Sequence, residues 1–410
     1  MDALKRVVLA VGVMLMASVS AWAGLEIDET NFPDSVFREY LSSNFDTDSD
    51  DMLNEEEIAA VTSIYVASMS ISSLQGVENF TALTELNCSY NQLTSLDVSQ
   101  NTALTYLNCE NNQLTALDVS QNPALTYLNC ENNQLTALDL SKNSALTTLF
   151  CSYNQLTALD VSQNTALTHL SCGRNQLTEL DISHNTALTY LLCNYSHLTS
   201  LNVSNNTALE FLDFGSNDVT ALDVSNNKEL RTLVFGENKL TNIDVSNNTK
   251  LTRLDCSDNN LTALDVSHNQ DLAILYCGNT NIAELDLTNN TALVLLSCGN
   301  NQLRTLDMGN NTKLVSIRCQ SNQLAALDLS NNVSLNNSGT EINYEISDDD
   351  SYYFTASVNL SSQTLTLSAA SLVSGGTSSY VLNASALDPT LDISRISSID
   401  VEDSSGSAIT

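Results

Sequence analysis

The residues best suited to chemistry form an acidic run near the N-terminus. Asp46-Thr47-Asp48-Ser49-Asp50-Asp51-Met52-Leu53-Asn54-Glu55-Glu56-Glu57 fits the twelve-residue spacing of an EF-hand calcium loop. Hard oxygen donors suit a hard cation. Asp46, Asp48 and Asp50 would be the first carboxylate ligands, Met52 would offer its backbone carbonyl, Asn54 the water-mediated position and Glu57 the bidentate one. Asp51 stands where Gly normally makes the sharp turn, and Asp enters left-handed backbone more readily than most residues. The expected cofactor is therefore Ca2+ in this loop, with a metal-free capping loop as the alternative.

Two other chemistry-bearing types are spread through the chain. The ten cysteines, 88, 109, 130, 151, 172, 193, 256, 277, 298 and 319, all occupy one column of a 21-residue period. Phe214 and Phe235 fill that column in two further copies, so the position reads as apolar core. Side chains of one column point the same way, which suits buried thiols better than the roughly 90° torsion of a disulfide. The four histidines, His169, His184, His197 and His268, pair with no nucleophile at a useful spacing. With no phosphate-cradling glycine loop and no HExxH, the chain is expected not to be an enzyme.

The elements that position these residues follow from the period. Leu104 to Ala124 reads LTYLNCENNQLTALDVSQNPA, and the next copy, from Leu125, reads LTYLNCENNQLTALDLSKNSA. Twelve in-register copies run from Leu83 to about Asn332 in the pattern L-x-x-L-x-(C/F)-x-x-N-x-L. This is the leucine-rich-repeat signature. Alternation around Leu86-Asn87-Cys88 predicts a short strand with Leu86 and Cys88 inward and Glu85 and Asn87 outward. The fold class is α/β: a leucine-rich-repeat solenoid with a parallel β-sheet on its concave face, an EF-hand-like helical cap before it and a β-rich tail after it.

Three polar columns accompany the leucines. Asn91 opens one that departs from Asn only at Ser196 and Thr280, and its amides are expected to bond backbone where the chain leaves the strand. A second, Asn101 to Asn332, is unbroken and predicts left-handed turn residues. The third, Asp97 to Asp328 with Asn202 as its one neutral member, predicts a turn-bonding side chain in each unit rather than a cation-binding ladder.

Residues 1–23 read as an export signal: Lys5 and Arg6, an apolar Val7–Ala17, and Ala21-Trp22-Ala23 before Gly24. Residues 24–60 form the cap, with a helix that has Pro33 near its first turn and Phe37, Tyr40, Leu41 and Phe45 at helical spacing. A second helix starts from about Glu55. The solenoid spans 61–335, beginning with a degenerate 22-residue turn from Val61. Residues 336–410 are Ser-rich, with strand-like alternation at Tyr353 to Leu360 and Thr364 to Ser368, and read as a C-terminal cap or small β-domain.

The helical cap, then I-S-S-L-Q-G-V-E-N-F-T-A-L (Ile71 to Leu83), then repeats, resembles the internalin-type secreted bacterial leucine-rich-repeat proteins over about residues 30 to 335. The resemblance implies a non-enzymatic protein that binds a partner through the concave face, and a secreted or cell-surface location, with the periplasm as an alternative. A net charge of -34 excludes a nucleic-acid partner, for want of a basic surface to neutralise phosphates. No later apolar run is long enough for membrane insertion. A monomer is expected.

Within the invariant frame the outward strand positions vary, and aromatics concentrate in the N-terminal half. Tyr106, Tyr127, His169, Tyr190 and Phe211 share one column, Phe150 lies in the next, and Tyr90, Tyr153 and Tyr195, with Arg174, flank them. Exposed aromatics give large contact area at low entropic cost, so these are the expected ligand-binding residues. The expected partner is a protein, with carbohydrate or a purely architectural role as the alternative.

Overall fold

The computed structural model describes residues 24–319, most of 321–334 and short strand segments between 367 and 409. The export signal expected at 1–23 lies outside the described residues. No described helix is long and apolar enough to cross a membrane. The chain divides into two compact units, Met1–Leu146 and Thr147–Thr410.

In the first unit, β1 (Leu25–Glu26) pairs antiparallel with β2 (Met52–Leu53). Helix α1 (Ser35–Asn44) lies between them and starts at Asp34, whose carboxylate accepts from the Val36 and Phe37 amides at 3.0 and 3.1 Å. Pro33 sits one residue before the cap, near the first turn as expected, and the Asp34 carboxylate satisfies two amides that helix geometry leaves open. Phe37 and Leu41 are fully buried. Phe32 packs edge-on to Phe37, Phe45 lies 6.2 Å from Phe80, and Phe32 stacks 6.5 Å from Phe80, so the cap seats on the first solenoid turn through aromatic rings. Gly76 permits this approach: at φ 100° a Cβ there would meet the Phe32 ring at 2.2 Å. Helix α2 (Glu55–Ala60) opens with a capping box of Asn54 and Glu57.

Strand β3 (Ser63–Tyr65) then pairs in parallel with β4 (Glu85–Asn87), followed by β5 (Tyr106–Asn108) and β6 (Tyr127–Asn129). Ser63 pairs with Glu85, so the 22-residue first turn enters the sheet in register with the 21-residue ones.

The second unit continues the pattern with nine three-residue strands, each 21 residues after the last, from β7 (Thr148–Phe150) to β15 (Ser316–Arg318). β16 (Ala326–Leu327) pairs antiparallel with β17 (Leu367–Ser368), which meets the end of the expected Thr364 to Ser368 strand. Two further hairpin pairs follow, Leu372–Gly375 with Ser379–Leu382 and Val401–Glu402 with Ala408–Ile409. The strand expected at Tyr353 to Leu360 lies outside the described residues.

The core is the stack of inward leucines and the Cys/Phe column. Leu86, Leu107, Cys88 and Cys109 are fully buried, as are Phe214 and Phe235, whose rings stack at 5.8 Å. The cysteines are free thiols, and nine of the ten are buried. Burial pushes the Cys88 and Cys172 thiols up to about 12 and that of the half-buried Cys319 up to about 11.

The polar columns hold turn to turn. Asn112 donates to the Cys88 and Cys109 carbonyls at 3.0 Å each and accepts from the Leu93 amide at 3.0 Å, so one side chain satisfies buried backbone of two turns. The Asn101 column corrects the expectation placed on it. Its members are fully buried and bridge turns, as where Asn122 donates to the Val98 and Asn101 carbonyls at 3.0 and 2.9 Å. The left-handed residues lie instead just before the first Asn column: Tyr90, Asn111, Asn132, Tyr153, Arg174, Tyr195 and onward to Ser321, with φ between 47° and 55°. There the chain turns off the strand, while the Asn101 position is buried and its amide is committed to bridging. The Asp column behaves as turn-bonding side chains: Asp118 accepts from the Ser120 amide at 2.9 Å, and Asn202 keeps the same bond to Ser204 at 3.0 Å.

Candidate functional site

The outward residues of the parallel strands form a strand face in each unit. In the first, β5 and β6 carry Tyr106 and Tyr127, whose registered positions bring the rings into a parallel stack at 4.5 Å and 11°. Burial, then the neighbouring Tyr106, pushes the Tyr127 hydroxyl up to about 12. Tyr90 is 55% exposed, and its hydroxyl donates to Glu110 at 3.0 Å. Glu110 also accepts from Asn111 at 2.8 Å and Asn129 at 3.1 Å. Tyr65, 49% exposed, donates its hydroxyl to Glu85. Sequence reasoning passed over Tyr65 because its turn is degenerate, although aligning Ser63-Ile64-Tyr65 with Glu85-Leu86-Asn87 would have placed it on this face.

In the second unit, His169 stacks on Tyr190 at 5.8 Å and Tyr190 on Phe211 at 4.4 Å. Phe150 is half-buried beside this column, paired in register with Ser171. Tyr153 and Tyr195 belong to the left-handed column and enclose Arg174, whose guanidinium carbon lies 4.9 and 3.9 Å from their ring centroids. Left-handed backbone costs a residue with a Cβ on the order of 1 kcal/mol, so these bulky side chains sit in a conformation that Asn or Gly adopts more cheaply. The expected aromatics thus group as Tyr90, Tyr106 and Tyr127 in the first unit and Phe150, Tyr153, His169, Tyr190, Tyr195 and Phe211 in the second. Sequence reasoning places Tyr153, Arg174 and Tyr195 together as flanking residues but does not foresee their cation–π sandwich, because their column varies in identity.

The acidic loop lies in the cap. Asp46, Asp48 and Asp50 each bring a carboxylate oxygen within 4.8 Å of the others. Asp46 accepts from the Asp50 and Asp51 amides at 3.2 and 3.1 Å, and Asp51 adopts φ 61° at the position of the usual Gly. Partial desolvation, then the charges of Asp50, Glu57 and Asp46, hold the Asp48 carboxyl above its usual range. Glu57 accepts from the Thr47 amide and hydroxyl at 2.6 Å and from the Asn54 amide at 3.0 Å; the Thr47 hydroxyl, then that amide, hold its carboxyl below the usual range. Asn54 caps α2 by accepting from the Glu56 and Glu57 amides, and Met52 pairs with Glu26. The three aspartates are thus gathered, while Asn54 and Glu57 are engaged in the capping box.

Comparison with known proteins agrees with the repeat. A family model described as Leucine Rich repeats (2 copies) matches residues 102–143. Internalin J of Listeria monocytogenes serotype 4b (strain F2365) is 44% identical over 70 residues, which is 17% of this chain and only 8% of that protein's length. The solved functional domain of InlJ from Listeria monocytogenes, described as including a cysteine ladder, is 38% identical with a TM-score of 0.70, covering 78% of this chain and 76% of that one. The internalin inlF of L. monocytogenes str. 4b F2365 superposes with a TM-score of 0.71 at 26% identity, covering 77% of this chain and 97% of that one.

Proposed function

The chain belongs to the internalin-type leucine-rich-repeat proteins, and from that premise we propose that it is an exported, non-catalytic receptor that binds a protein partner through its strand face. The observation that carries this reading is the registered stacking of outward aromatics, the half-buried Tyr106 on Tyr127 and the exposed His169 on the half-buried Tyr190 and Phe211, along a repeating frame. Rigid amphipathic rings held in line by a sheet give contact area without a large ordering cost on binding. The test is capture from extracts of bacterial and host cell surfaces by the mature chain, from Gly24, beside a glycan array. A protein captured by the parent and lost by Tyr106→Ala with Tyr127→Ala supports the reading. Capture of glycans alone favours the carbohydrate alternative, and undiminished capture by the double variant refutes a role for these rings.

The same reading assigns Ca2+ to the cap. Asp46, Asp48 and Asp50 would hold the ion, with the Met52 carbonyl, Asn54 and Glu57 completing the set, and the ion would offset the desolvation and then the neighbouring negative charge that raise Asp48. Its role is to stiffen the lid over the first turn. Calorimetric titration of the mature chain with calcium chloride, beside Asp48→Asn, tests it. Heat of binding and a raised Tm, both lost in the variant, are expected; neither appearing at about millimolar calcium refutes the site.

A further inference from the structure

We propose that the strand face of the first unit receives a cationic, Lys- or Arg-bearing segment of the partner, seated on Tyr65, Tyr90, Tyr106 and Tyr127 with Glu85 and Glu110 as its counter-charges. The proposal rests on the protein-recognition reading above and adds the chemistry of what is recognised.

The charge pattern makes the choice of guest. No Lys, Arg or His occurs between Arg38 and Lys142, while residues 39–141 hold eight Glu and seven Asp. Three of these glutamates, Glu85, Glu110 and Glu131, fall on or beside the strands that carry the tyrosines. An acidic guest would meet only like charge there, and a neutral one would leave the field of these carboxylates uncompensated.

The rings are prepared for the same guest. Tyr65 and Tyr90 each donate their hydroxyl to a carboxylate, Glu85 and Glu110, which leaves electron-rich ring faces beside negative charge. A guanidinium or ammonium over such a face is attracted by the ring quadrupole, the more so as it loses water.

The second unit shows the chemistry with an internal cation. There Arg174 occupies the left-handed column between Tyr153 and Tyr195 and lies 3.9 Å from the Tyr195 centroid. In the first unit the same column holds Tyr90, Asn111 and Asn132, so a tyrosine is present without an intramolecular cation in the neighbouring positions of the column. The guest supplies what Arg174 supplies in the other unit.

Calorimetry on the mature chain tests this with a short peptide alternating Arg and Ser, its citrulline analogue, which keeps the shape but not the charge, and its Glu analogue. The Arg peptide should bind about tenfold or more tighter than the citrulline peptide and weaken as salt rises, and the Glu peptide should not bind. Glu85→Gln with Glu110→Gln should weaken the Arg peptide about five- to tenfold. Glu179→Gln with Glu284→Gln changes net charge equally, away from the strands, and should change affinity less than about twofold. Tyr90→Leu with Tyr106→Leu should also weaken binding about tenfold, with far-ultraviolet dichroism confirming the fold. Equal loss in both Glu pairs would mean that the peptide answers only to overall charge and would overturn the proposal, as would equal binding of the citrulline peptide. If a captured partner still depends on Tyr106 and Tyr127 while the Arg peptide does not bind, only the cationic reading falls. If capture never depends on those rings, the recognition reading itself falls.

Discussion

Replacing Ser196 by Asn should stabilise the protein. In the flanking turns the column residue is Asn, and each makes four bonds to backbone, the longest of them, to Gly173 and Gly215, at 3.2 Å. Asn175 donates to the Cys151 and Cys172 carbonyls at 3.1 and 3.0 Å and accepts from the Leu156 amide at 2.9 Å. Asn217 donates to the Cys193 and Phe214 carbonyls at 3.0 and 2.9 Å and accepts from the Leu198 amide at 3.0 Å. The Ser196 hydroxyl is buried without a hydrogen-bond partner. The equivalents of the three shorter bonds for an Asn would reach the Cys172 and Cys193 carbonyls and the Leu177 amide. Three bonds at about 1 kcal/mol net each, less about 1 kcal/mol for ordering the longer side chain, give about 2 kcal/mol. Ser196 is 7% exposed, as are Asn217 and Asn238, so the position is enclosed to the same degree in these turns. The converse, Asn217→Ser, should cost about 2–4 kcal/mol by stranding the three backbone groups of the shorter bonds. Urea unfolding of the mature chain followed by far-ultraviolet dichroism measures both, and hydrogen exchange at the Leu177 amide localises the effect, since stability in a repeat array is largely a sum of neighbour terms. If Ser196→Asn is neutral and the exchange of Leu177 is unchanged, the reasoning about the column is wrong.

Other outcomes follow from the same geometry. At pH 8 iodoacetamide should label Cys319 first in the native protein and the other cysteines only on unfolding, because burial holds thiols such as Cys88 and Cys172 near 12; peptide mass spectrometry reads the order. Asn111→Val puts a β-branched residue at φ 52° and should lower stability by about 1–2 kcal/mol, whereas Asn111→Gly should change it by much less. Asp118, Asp139 and Asp223 are held below the usual range, chiefly by the amide and hydroxyl of the Ser two residues on. The unfolded chain therefore takes up protons first, so their contribution is full above the ordinary aspartate value of 3.8 and is lost as pH falls below it. Melting curves through that range should show less acid loss in Asp118→Asn with Asp139→Asn, by analogy with the neutral Asn202.

How much of this was legible depends on whether a residue's role repeats with the period. Leu86 and Cys88, buried identically in turn after turn, announce themselves, and so does the Asp97 column, because Asn202 retains the bond without the charge. The two Asn columns look alike in sequence, and both are buried and bridge turns; they differ in that Asn112 also accepts from the Leu93 amide, while the left-handed strain falls on Tyr90 and its equivalents, where identity varies too much to draw notice. In the cap, Asn54 and Glu57 satisfy two motifs at once, the last positions of a cation loop and a capping box, and sequence alone does not rank them. The aromatic surface was visible as a list of residues. Its grouping depends on side-chain geometry: the ring stacks, the enclosure of Arg174, and the pairing of Tyr65 and Tyr90 with glutamates.

The Asn bridges carry a consequence for how such a gene can change. Asn112 reaches back 24 residues to Cys88 and serves Leu93, 19 residues back, and the unit after it repeats those offsets with Asn133, Cys109 and Leu114. Among the described residues, no bond of this kind extends past an adjacent turn. Deleting or duplicating a whole unit therefore restores the same set of partners across the junction. The near-identical copies beginning at Leu104 and Leu125 are what replication slippage would leave behind. Length is thus free to drift in whole turns, each gain or loss adding or removing one rung of the variable surface while the frame closes behind it.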